Sequence, residues 1–70
     1  MSSIVKVIEI IAQSPTSFDD AAQAAVREAG KSVKGIKSIW IDNLSGEVEG
    51  DRIVRFRVNA KLSFVVEGHQ

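Results

Sequence analysis

The sequence has no cysteine and no tyrosine, and only one each of histidine, proline, tryptophan and methionine. Without cysteine, disulfide cross-links and thiolate zinc centres are excluded. The one histidine is His69, next to the last residue, so Ser38 and Ser63 have no imidazole to activate them as nucleophiles. A Gly-rich phosphate loop and a nucleophile elbow are also missing, and the reading is a binding and assembly protein, not an enzyme. Charge of one sign is missing too: nine basic and nine acidic side chains give a net charge of +0. That balance excludes nucleic-acid binding driven by phosphate neutralisation. No apolar run approaches the ~18 residues of a membrane span. Met1-Ser2-Ser3 lacks the basic region and cleavage site of a signal peptide, so a cytoplasmic location is expected.

At 70 residues and 7.6 kDa the chain makes one domain, expected over residues 1–70 with 1–3 and 68–70 frayed. A compact fold of that mass exposes roughly 4,300 Å², against about 11,000 Å² unfolded. Burial then yields on the order of 100 kcal/mol, and ordering the chain costs on the order of 105 kcal/mol. A lone protomer is therefore marginal. With disulfides and cysteine-based metal sites excluded, oligomerisation is the expected remedy.

What the sequence does contain is strand-forming residues in phase. Residues 4–11, Ile-Val-Lys-Val-Ile-Glu-Ile-Ile, predict a strand apolar on both faces, with Ile4, Ile8 and Ile10 on one and Val5, Val7 and Ile11 on the other. Both faces need covering, and one helix covers one of them. Glu9 predicts a buried carboxylate with a cationic partner on the third strand or a neighbouring chain. Residues 12–17 hold the proline and predict a loop, closed by Ser17 as a helix N-cap ahead of Asp19 and Asp20. Phe18, Ala21, Ala22, Ala25, Val26, Ala29 and Val33 share one helical face. They predict a helix from Phe18 to about Lys34, with Lys31 and Lys34 in its last turn and Gly35 just beyond.

Residues 36–48 predict a second strand, Ile39 and Ile41 on one face and Ser38, Trp40 and Asp42 on the other. Leu44 and Val48 fall out of phase, which predicts a bulge near Asp42-Asn43. Glu49-Gly50-Asp51-Arg52 predicts a hairpin with Gly50 at the first position of a type II′ turn. The third strand, Val54 to Val66, sets Val54, Phe56, Val58, Ala60, Leu62, Phe64 and Val66 against the helix and alternates them with Arg55, Arg57, Asn59, Lys61, Ser63 and Val65. It spans roughly 40 Å, whereas the helix reaches only ~25 Å, so the overhang needs partners. The fold class is α+β: a β-α-β-β chain whose three-stranded antiparallel sheet, third strand central, folds over one helix.

Val5-Lys6-Val7-Ile8-Glu9-Ile10-Ile11, Ser14-Pro15, Ser17-Phe18-Asp19-Asp20-Ala21 and Phe56-Arg57-Val58-Asn59-Ala60-Lys61-Leu62-Ser63-Phe64 together resemble the dodecins, as do Gly46 and the Glu49-Gly50 turn. The resemblance covers residues 4 to 67. It implies a hollow homododecamer of tetrahedral symmetry, and a flavin, riboflavin or flavin mononucleotide, stored or quenched at protomer interfaces. The tryptophan that stacks on the flavin in that family falls on Ser38. This chain carries Trp40 two residues on, on the same face and about 7 Å away. The family's flavin-binding glutamine falls on Arg57, which donates hydrogen bonds but accepts none. Flavin binding is therefore expected to be weak or absent.

Trp40 has two readings: an aromatic anchor in a protomer interface, or a displaced platform for a small planar ligand. Arg55, Arg57 and Lys61 form either a solvated row or a phosphate-holding one. Asp42, Glu47, Glu49 and Asp51 read as a solvated hairpin, with no ligand-spaced loop to make a metal site. Two functions follow: an oligomeric storage protein with a modified flavin site, or a similar shell that holds no flavin and serves as a structural or ion-binding assembly.

Overall fold

The computed structural model describes residues 3–66, so the expected fraying of Met1, Ser2 and Gly68 to Gln70 lies outside the described residues. The elements run β1 (Ile4–Ser14), α1 (Phe18–Ala29), β2 (Ile36–Glu49) and β3 (Arg52–Val66). The sheet order is β1-β3-β2, and both outer strands run antiparallel to β3. The expected class and the central position of the third strand agree with this.

Alternation on β3 decides the layering. Val58, Ala60 and Leu62 are buried against Ala21 and Ala25 of α1. Alanines on the helix let it lie close to the strand, and Phe18 closes the end of this layer edge-on against Phe56, ring centroids 5.1 Å apart. Ser17 caps α1 as expected, its Oγ accepting from the Asp20 amide at 2.9 Å. Gly50 has φ 65 and, among the described residues, no non-glycine residue has positive φ, which fits the expected type II′ turn. The bulge predicted near Asp42-Asn43 lies between Ile41 and Asn43. It brings Leu44 back into phase, opposite Val58 on the helix side.

β2 runs one residue further, to Glu49, and β3 begins two residues earlier, at Arg52, than the sequence reading; two other boundaries differ by more. β1 does not stop at Ile11: Ala12, Gln13 and Ser14 pair with Val58, Arg57 and Phe56. The length of β3 offers backbone partners that far, and the loop shrinks to residues 15–17. The helix ends at Ala29, not near Lys34. Gly30 and Ser32 are poor helix formers, and the chain leaves through tight turns, the Lys31 amide bonding to the Glu28 carbonyl and the Ser32 amide to the Ala29 carbonyl. Arg27, not Lys31 or Lys34, is the basic residue of the last helical turn. Gly35 is left-handed at φ 73, but it leads into β2 instead of capping α1.

A twelve-residue helix spans only ~18 Å, and the molecule measures 55 × 20 × 13 Å. Its radius of gyration is 14.6 Å, against about 11 Å for a compact chain of this length. It exposes 5179 Å², roughly 900 Å² more than a compact fold of its mass. The surplus has identifiable sources. β1 ends opposite Phe56, so residues 47–55 project as a bare two-stranded arm. Among the described residues nothing covers the sheet face away from α1.

Candidate functional site on the open face of the sheet

The register places side chains on the open face in rows across three strands. Glu9, Lys61 and Trp40 form one row; Ile11, Asn59 and Asn43 the next; Gln13, Arg57 and Ser45 a third. Val7, Ser63 and Ser38 lie on the other side of the Trp40 row. Arg55 and Glu47 face each other where β1 has ended. The five residues singled out from the sequence, Ser38, Trp40, Arg55, Arg57 and Lys61, thus share this face. They do not converge on one point, because Arg57 and Lys61 are four residues apart on β3, about 13 Å.

At the position of the family's tryptophan, Ser38 Oγ is hydrogen-bonded to Ser63 Oγ on β3. That closes this end of the row with small hydroxyls. Trp40 stands half exposed at 52%, with Lys61 as its cross-strand neighbour. Lys61 Nζ lies 3.4 Å from Asp42 Oδ2. Glu9, opposite Lys61 on β1, is exposed. Among the described residues the expected buried Glu9 ion pair is therefore absent: the open face leaves Glu9 exposed, and the Asp42 bulge turns a nearer carboxylate to Lys61.

Arg57 is held from both sides. Its Nε and Nη2 donate to Gln13 Oε1 at 3.0 and 2.7 Å, and Nη2 also donates to Glu47 Oε2 at 3.3 Å. Arg55 Nη1 donates to Glu47 Oε1 at 2.8 Å. One carboxylate thus serves two guanidiniums, and the basic row is partly neutralised within the chain. Gln13 is the residue that the sequence reading missed. The signal was available, since Glu9, Ile11 and Gln13 are one alternating series that the proline nearby obscured. Asn43 and Asn59 were also missed; with Glu9 and Asp42 they line a hollow of about 490 Å³. Among the described residues no three His, Cys, Asp or Glu side chains come together to hold a metal ion.

These rows do not fit a flavin bound in the family's manner. Ser38 offers no ring, and Arg57 offers only donors, most of them engaged. They do not complete a calcium site either, because calcium takes 6–8 oxygens and Asp42 is already paired with Lys61.

A small β-α-β-β protein with one helix-covered and one open sheet face, and surface to spare, is the class that these features define. Residues 4–67 match the Dodecin family, and the chain belongs to it. It is 36% identical over 62 residues to the calcium dodecin of Mycobacterium tuberculosis, covering 89% of this chain and 87% of that one. The crystal structure of that calcium-chelating antigen, with a calcium-binding site, matches at a TM-score of 0.80 and 34% identity over 97% of both chains. A mutant dodecin from Thermus thermophilus matches at a TM-score of 0.92 and 19% identity over 97% of this chain and 100% of that one, a likeness of fold.

Proposed function

We propose that the chain is the protomer of a homododecameric binding and storage shell that does not stack flavin as many dodecins do. Family membership and the surplus exposed surface support the assembly. One observation carries the ligand reading: Ser38 is hydrogen-bonded to Ser63 where a ring would have to stand. Arg57, clamped by Gln13 and Glu47, adds to it. Riboflavin fluorescence tests this reading. Wild type quenches added riboflavin weakly or not at all, and Ser38→Trp with Arg57→Gln gains quenching. Stoichiometric quenching by wild type as strong as that of the double variant overturns it.

A second reading, cation storage, is favoured by the hollow lined by Glu9, Asp42, Asn43 and Asn59, and by the likeness to a protein named calcium dodecin. One protomer supplies too few oxygens, so a neighbouring copy has to complete the shell of ligands. Calorimetric titration with calcium decides it. Saturable binding that Glu9→Gln weakens supports storage, and the absence of heat removes it.

A further inference from the structure

One side chain on the open face is not open. Of the β3 residues that point there, Arg55, Arg57, Asn59, Lys61, Ser63 and Val65, only Ser63 is buried, at 4% exposed. Its cross-strand neighbours are Val7 on β1 and Ser38 on β2. Val7 has no polar side-chain atom. Among the described residues, Ser38 Oγ is therefore the side-chain partner of the Ser63 hydroxyl. The two serines are unequal: Ser38 is exposed and Ser63 lies beneath it. Side chains directly opposite on paired strands have Cβ atoms only about 4.5–5.5 Å apart, so whatever stands at position 38 rests against Ser63.

We infer that Ser63 is a second specificity-determining residue of the open face, locked with Ser38 into one unit that keeps planar rings from seating there. This rests on the flavin reading proposed above and names a residue which that reading leaves out. A ring at position 38 breaks the hydroxyl pair. It then either seals the Ser63 hydroxyl unpaired beneath carbon, which is costly for a buried polar group, or stands off the strand to let water reach it. Both outcomes spoil a flat seat for stacking. Glycine at position 63 removes the oxygen and the Cβ together, and an aromatic ring packs well across a strand from glycine. Ser38 alone therefore does not set the ligand preference of this face; the buried serine under it sets the quality of any ring that replaces it.

Riboflavin fluorescence titration tests the coupling, with Arg57→Gln present in every variant. Ser38→Trp, Ser63→Gly and the two together are compared. Ser63→Gly is expected to gain no quenching while Ser38 is in place, and to tighten riboflavin binding about tenfold when added to Ser38→Trp, as relief of a buried unpaired hydroxyl implies. Glycine weakens a strand interior, so Ser63→Ala, which removes only the hydroxyl, is measured beside it and carries the same comparison if the glycine variant fails to fold. Equal affinity of Ser38→Trp with and without the change at Ser63 overturns the inference. So does a gain of the same size with Ser38 in place, because the two serines then act independently, and so does a set in which no variant binds riboflavin. Strong quenching by wild type removes the flavin reading and this inference with it, whereas equal affinities beside a silent wild type remove only the inference.

Discussion

Leu62 and Lys61 are neighbours on β3 and face opposite ways. Leu62 is fully buried under α1. Lys61 stands on the open face between Glu9 and Trp40, paired at 3.4 Å with Asp42. On the helix side, side chains meet alanines and each other, and shape decides the energy. On the open side, charges meet across strands in solvent and hold one another in place without burying much surface. The difference shows which contacts make the protomer and which are left over. Exposed Val5, Val7 and Ile11 gain nothing from α1, and their value depends on what another copy lays over them.

That contrast orders the expected effects. Leu62→Ala removes a buried side chain from a tightly packed layer and should cost about 2–5 kcal/mol, seen as a large fall in the thermal midpoint. An unchanged midpoint would mean that the helix layer is not the core. Ser14→Ala comes next. The Ser14 hydroxyl is buried, donates to Asp20 Oδ2 at 2.6 Å and accepts from the Thr16 amide at 2.9 Å, tying β1 to the start of α1. Its loss should cost about 1.5–3 kcal/mol, the range for a hydrogen bond to a charged group, read by chemical denaturation.

The open face should respond in binding before stability. Ser38→Trp with Arg57→Gln restores a ring and an amide that both donates and accepts. It should raise riboflavin affinity at least tenfold, about 1.4 kcal/mol, by fluorescence titration. Equal affinities would mean that Trp40 already does the stacking. The smallest effect is expected from Lys61→Gln. Its pair with Asp42 is more than a third exposed, so its loss should cost no more than ~1 kcal/mol and less as salt is added. A larger, salt-independent loss would place Lys61 inside an interface.

The helix side of this molecule was legible because burial writes a period into the sequence. The alternation over Val54 to Val66 made the central strand and the face buried at Val58, Ala60 and Leu62 legible from residue types alone, although Val66 of the same row is 37% exposed, and the misfit of Leu44 located the bulge. Element ends were less legible. Ala12-Gln13-Ser14 has no strong strand character and is held by pairing with β3, which local propensity does not carry. The Gly30-Lys31-Ser32 exit from the helix was masked by Val33, which continues the apolar spacing. The open face was read correctly as a face but not as a network. That Gln13 and Glu47 clamp Arg57, and that Asp42 takes Lys61 from Glu9, depends on cross-strand register and on the bulge, neither of which a single strand's pattern contains.

The measurement closest to the heart of this picture is the mass of the wild-type protein in solution, by light scattering at micromolar concentration. Twelve protomers of 7.6 kDa give about 91 kDa, the value expected of the dodecameric shell proposed above. A single species at 7.6 kDa, folded and monodisperse, would contradict it.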